Sequence, residues 1–263
     1  MTLGLPFFRA GGGRYAPTEA AVGYWSPDSI NGRLIVGLLG FELERLFGQA
    51  EWQPSRLTVD MFRLPRRVPI EIRARLLHEG GQLRLAEADC FCGEKPVARA
   101  SIQFLKRSHA PDGAFWSPAA WDAPPPDSVP APRSVETAHW DRRVVLGKFG
   151  TAGPRRAWHR ETRELVEGAP YTPFSRAAMM ADVASSMVNS GSSGLGYINS
   201  DVTLYLQRNP IGEWLGLDTV NHQSADGVAI GECWIYDEAG PIGASSVSGI
   251  AQQRASRAGG AAK

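Results

Sequence analysis

The chain has 263 residues, 43% of them apolar, and a formal net charge of +1. That length suits one large or two modest domains, and that apolar content supports a substantial core. The near-neutral charge removes any electrostatic case for nucleic acid or an anionic membrane surface as partner.

Residues 1–9 form a short apolar run without a basic front, and no later stretch approaches about 18 apolar residues. Neither a secretory leader nor a membrane span is expected, and the expected compartment is the cytoplasm. Cys90, Cys92 and Cys233 are too few and wrongly spaced for a zinc site or a disulfide framework. They are expected as small core residues, with no metal and no cofactor. Gly11, Gly12 and Gly13 lack the following Lys-Ser/Thr of a phosphate-binding loop and mark a turn.

From the capping residue Asn31 to Phe47 the sequence is apolar nearly all round in its first half, which predicts a buried helix. Strand alternation follows at Leu57, Val59 and Met61, then at Ile70, Ile72 and Ala74, then near 83–91 and 97–105. Gly80-Gly81 and Gly93-Glu94 mark hairpin turns. Seven prolines between 108 and 133, among them Pro124, Pro125 and Pro126, forbid a helix or a sheet strand there and predict a linker. Strand signals resume near 140–146 and 157–165. Thr172 then offers an N-cap and Pro173 a first helical residue, and a helix is expected to run to Val188 and stop at Asn189, Ser190 and Gly191. Its only charges are Arg176 and Asp182. Val202, Leu204 and Leu206 alternate as a half-buried strand, and further strands are expected near 213, 228 and 242. Trp25, Trp52, Trp214 and Trp234 lie in or beside these elements, where packing is their expected role.

The order of elements repeats. Arg63 and Arg208 stand 145 residues apart, as do Pro96 and Pro241, while Glu71 and Glu213 stand 142 apart. A unit of one long helix and an antiparallel sheet therefore occurs twice, an α+β chain with each sheet wrapped around its helix. The expected boundaries are 1–107 for the first unit, 108–133 for the linker and 134–263 for the second.

Several segments together resemble the double-hotdog acyl-CoA thioesterases of the thioesterase II (TesB-like) group, and more closely their actinobacterial-type relatives. They are GYWSPDSINGRLIVGLLGFELERL, RLTVDMFRLPRRVPIEIRARLL and VARASIQFLKR in the first half, and RAAMMAD, NSDVTLYLQRNPIGEW and GPIGASSV in the second. The resemblance implies a tandem hotdog fold and a cytoplasmic enzyme of fatty acid metabolism with an acyl-CoA substrate, open to homo-oligomerisation. It further implies that a helix Asp, a polar residue entering the next strand and a Gln on the last strand orient a water toward the thioester carbonyl. Matched residue by residue, these fall on Asp182, Asn199 and Ser248. Ser248 departs from the pattern, because a hydroxyl is shorter than an amide and offers one donor rather than two. This puts efficiency in question and leaves open a shift of the alignment toward Gln252 or Gln253.

Direct water attack needs a base, which Asp182 supplies if its apolar helix desolvates it, and donors for the oxyanion. The alternative for Asp182, Ser185, Ser186 and Asn189 is a solvent-facing stripe, since they follow helical spacing. Two other functions remain as alternatives: a non-catalytic acyl-CoA or lipid-binding protein, and a hotdog hydratase or dehydratase. The latter is weakened because no His follows Asp182 before His222. No G-x-S-x-G elbow occurs, so a Ser-His-Asp hydrolase is not expected.

Overall fold

The computed structural model describes residues 4–119, 121–131 and 140–252. Positions 120 and 132–139 of the expected linker and second unit, and Gln253, lie outside them. The first half holds β1 (Phe8–Gly11), β2 (Arg14–Pro17), α1 (Gly32–Phe47), β3 (Trp52–Met61), β4 (Ile70–Glu79), β5 (Leu83–Cys92) and β6 (Lys95–Lys106). The second holds β7 (Trp140–Leu146), β8 (Arg156–Glu161), α2 (Pro173–Ala181), α3 (Val183–Val188), β9 (Ser190–Gly191), β10 (Gly194–Leu195), β11 (Tyr197–Asn199), β12 (Asp201–Leu206), β13 (Leu215–Ala225), β14 (Val228–Asp237) and β15 (Gly240–Ala251).

All but the small β9–β10 hairpin join one antiparallel sheet, ordered β1-β2-β4-β5-β6-β3-β12-β15-β14-β13-β8-β7, with β11 beside β15. The halves meet where β3 pairs with β12. The spacing seen in the sequence recurs in the strands: both bounds of β14 and of β15 lie 145 residues beyond those of β5 and of β6. Irregularities repeat as well. The β5–β6 register shifts between Cys90 and Phe91, and the β14–β15 register between Ile235 and Tyr236, again 145 residues on. At the seam, Thr58 faces Thr203, its own counterpart, and the Thr203 hydroxyl donates to Thr58 Oγ1 at 3.1 Å.

The helices lie inside the curved sheet. α1 is capped by the Asn31 side chain, which accepts from the Arg33 N–H, and α2 by a reciprocal Thr172–Ser175 box. They press closely together because a Cβ on Gly37 would come within 2.3 Å of Met179 Cγ, and one on Gly40 within 2.7 Å of Ala178 Cβ. Larger residues at either glycine would push them apart. Leu34, Ile35, Leu38, Phe174, Ala177 and Met180 are buried between them and the strands.

The expected unbroken helix from Pro173 to Val188 is corrected: α2 and α3 are separated at Asp182. The cause lies on β15. The buried Ser245 hydroxyl donates to the Ala181 carbonyl at 2.7 Å, the acceptor that the Ser185 N–H would use in a continuous helix. Ser185 donates instead to Asp182 O at 3.1 Å. A side chain inserted into the ladder is a recognised source of helix breaks. The residue 145 positions before Ser245 is Ala100, which has no hydroxyl, and α1 above it is continuous.

The described residues of the proline-rich run add no strand or α-helix, yet they are docked. Trp121 stacks on Tyr236 at 4.6 Å between ring centroids and meets Trp158 edge-on, whose indole N–H donates to Pro124 O at 3.0 Å. No helix among the described residues is long and apolar enough to cross a membrane.

Candidate active site

The break in the second helix puts a carboxylate where an apolar cavity opens. The cavity, of about 750 Å³, lies between the first turn of α1, residues 61–65 after β3, the α2–α3 junction, the β11–β12 junction and the end of β15. It therefore draws on both halves. Asp182 is half-buried on its wall, and the Asn199 amide donates to Asp182 Oδ1 at 2.8 Å. The same amide donates to Asp201 O at 3.2 Å, so Asn199 is fixed at the β11–β12 junction while it holds the carboxylate. Asp182 Oδ2 sits against α1, 3.2 Å from where a Cβ on Gly32 would be. Glycine at the start of α1 makes that approach possible.

Burial raises the Asp182 pKa above its ordinary 3.8, opposed by the Asn199 hydrogen bond and by the Arg33 charge. The Arg33 guanidinium is held by a buried ion pair with Glu161 and lies over the Trp140 ring at 4.4 Å from its centroid. The outcome is a carboxylate more basic than one in water, kept close to a fixed cation. Among the described residues no histidine lines the cavity, and no cluster of His, Cys, Asp and Glu is arranged to hold a metal.

Of the three residues matched from sequence, the structure joins Asp182 and Asn199 directly. Ser248 reaches the cavity wall only through Ser200, whose hydroxyl lies 3.2 Å from its own. Its N–H donates to Asp201 Oδ1 at 2.8 Å, its hydroxyl bonds the same oxygen, and it does not line the cavity. The physical reason is register: Ser248 lies opposite the start of β12, and the strand carries the chain onward to Gln252, which does line the cavity with Ser200. The Gln252 N–H is anchored to Gly196 O at 2.9 Å. Ser185 and Asn189 are buried and Ser186 lines the cavity, so the polar helix stripe does not face solvent. Trp25 is corrected from a packing role: it is 44% exposed and stands at the cavity rim with Tyr24 and Phe62.

Sequence reasoning missed Gly32 and Ser245. Gly32 follows an N-cap like many other helix starts, and Ser245 is one of several strand serines. The signal available for Ser245 was its alignment at 145 residues with an alanine.

With this geometry in hand, comparison with known proteins adds a family. Residues 117–249 match the family model described as the acyl-CoA thioesterase C-terminal domain. Among solved structures, the chain is similar to the tesB protein of Mycobacterium avium subs paratuberculosis, at 18% identity and a TM-score of 0.70 over 96% of this chain and 97% of that one. It is similar to the acyl-CoA thioesterase II TesB2 of Mycobacterium marinum, at 19% identity and a TM-score of 0.64 over 85% and 91%. A protein with the hot dog fold from Alicyclobacillus acidocaldarius aligns at 14% identity and a TM-score of 0.73 over 94% and 96%. At these identities the likeness is one of fold. No curated protein sequence matches the chain.

Proposed function

The chain belongs to the acyl-CoA thioesterase C-terminal-domain family, and on that premise we propose that it hydrolyses a fatty acyl-CoA to the free acid and CoA by direct attack of water. The 145-residue recurrence of strands supports a tandem hotdog, with residues 1–107 and 134–263 as its two units and the proline-rich run as their connection. The observation that carries the catalytic reading is the Asp182 carboxylate, desolvated and held by Asn199 on the wall of a cavity shared by both units.

In this mechanism Asp182 takes a proton from water as the water oxygen bonds to the thioester carbonyl carbon. The tetrahedral intermediate then collapses, the C–S bond breaks, and the sulfur leaves as the thiol with a proton returned through Asp182. Asn199 spends its amide N–H on Asp182, which leaves its carbonyl oxygen to orient the water. Gln252 supplies the longer amide that Ser248 lacks, and Ser248 acts by bracing Asp201 beneath Asn199. At the start of α1 the Arg33 and Leu34 N–H groups are held by Asn31, whereas the Gly32 N–H precedes the first helical acceptor, and Gly32 lines the cavity, which makes it the donor for the oxyanion.

The test is CoA release across acyl chains from short to long, compared with Asp182→Asn. That change keeps size and hydrogen bonding but removes basicity, and the expected loss is about 10² to 10⁴ in kcat. No CoA release by the unaltered protein with any chain length would leave a non-hydrolytic acyl-CoA-binding protein. Hydrolysis that survives Asp182→Asn would assign the base elsewhere.

A further inference from the structure

Equivalent positions in the two halves do not all carry the same structural duty. Arg208, two residues beyond β12, forms a bidentate pair with Asp237, the last residue of β14. Asp237 is buried and also accepts from the Ile211 and Ala239 N–H groups. In the first half the same places, 145 residues earlier, are Arg63, two residues beyond β3, and Cys92, the last residue of β5. The carboxylate has gone. Cys92 Sγ instead lies 3.7 Å from Arg66 O, and Arg63 has no ion pair or side-chain hydrogen bond among the described residues.

Arg63 is exposed and lines the mouth of the Asp182 cavity. The other arginine on that wall, Arg33, is already neutralised by Glu161. Around Arg63 the mouth carries the exposed rings of Tyr24 (77%), Trp25 (44%) and Phe62 (54%). An unpaired guanidinium beside exposed aromatic faces suits a ligand with phosphate and a heteroaromatic base, because guanidinium binds phosphate oxygens in a planar fork and aromatic faces stack bases. An acyl chain needs neither.

We infer that Arg63, with Trp25 and Tyr24, forms a mouth subsite for the phosphate-bearing nucleotide end of CoA, and so selects CoA thioesters over thioesters of phosphate-free thiols. This inference rests on the proposed acyl-CoA substrate, but it concerns binding at the mouth and not hydrolysis.

The test is therefore calorimetric, with CoA and pantetheine as probes that share the thiol arm and differ in the phosphates and adenine. Arg63→Gln is expected to weaken CoA binding by roughly tenfold or more, the usual worth of a hydrogen bond to a charged group, and to leave pantetheine binding unchanged. Arg63→Lys should recover part of the loss, since it keeps charge without the fork. CoA affinity of the unaltered protein should fall with added salt, and that slope should flatten in Arg63→Gln. Adding 4′-phosphopantetheine as a third probe locates the contact: affinity close to that of pantetheine places it on the nucleotide end. A phosphopantetheine affinity equal to that of CoA, an equal CoA-to-pantetheine ratio in both proteins, or an equal loss for both probes would each overturn the inference. Failure of CoA release in the hydrolysis assay leaves this binding ratio measurable, so the two readings fail separately.

Discussion

Ser245→Ala tests whether the placement of the Asp182 carboxylate, the proposed base, is imposed by one hydroxyl on β15. The substitution removes the 2.7 Å hydrogen bond to Ala181 O from a site with no solvent access. If the helix stays broken, the carbonyl is left bare in the core, at a cost of about 1–3 kcal/mol. If the Ser185 N–H returns to Ala181 O, a hydrogen bond is regained and stability stays within about 1 kcal/mol of the starting protein. The second course is expected, because the continuous α1 stands over Ala100 in the other half. Closing the break rotates Asp182 away from Asn199, and a displacement of about 1 Å at a reacting group can cost roughly a hundredfold in rate. Paired measurements of thermal unfolding and CoA release read the outcome: near-original stability with kcat lower by about that factor. A variant with original kcat would show that the break, or its control by Ser245, is irrelevant to catalysis.

The pH dependence of CoA release should carry an acid limb set by Asp182. The base must be ionised and burial raises its pKa, so activity is lost as pH falls through a value above 3.8, and the limb vanishes with the activity in Asp182→Asn. The same shift has a sign in stability: the folded state holds this proton more tightly than the unfolded chain does, so the contribution of Asp182 to stability declines as pH rises through its raised pKa. Asp182→Asn should accordingly unfold at the same or a higher temperature at neutral pH, and a lower one would contradict the desolvation argument. Glu161→Ala leaves Arg33 buried and unpaired, both side chains being at most 3% exposed, and is expected to cost about 3–5 kcal/mol in denaturant unfolding.

Much of the scaffold was legible because periodicity and caps are local. Asn31 and Thr172 start their helices as their side chains require, and the repeat at 145 residues foretold matching strands. Asp182 and Asn199 were matched through family resemblance, and the hydrogen bond between them depends on two junctions that no local pattern records. The break at Asp182 was invisible from within the helix, since its cause lies on a strand some sixty residues on and propensity carries no term for such an insertion. Ser248 lies on the last strand, as matched, but whether a side chain there meets a cavity or braces a neighbour depends on sheet register. Trp25 illustrates the converse. Its size suggested the core, whereas its loop leaves it at a rim.

The pairing of Thr58 with its own counterpart Thr203 marks a local twofold axis, and such an axis relates positions in one half to positions in the other. The partner of the Asp182 cavity is a smaller one of about 360 Å³ at the other ends of the helices, lined by Phe41, Thr172 and Arg107. By the spacing of 141 residues between helices, Phe41 occupies the place of Asp182, and by that of 145 between strands, Arg107 occupies the place of Gln252. A pair of identical separate subunits would carry the same residues at both sites. Joining two such units in one chain lifts that constraint, and here the proline-rich connection is itself docked on the second half. One half can then wall a cavity whose buried carboxylate the other half carries.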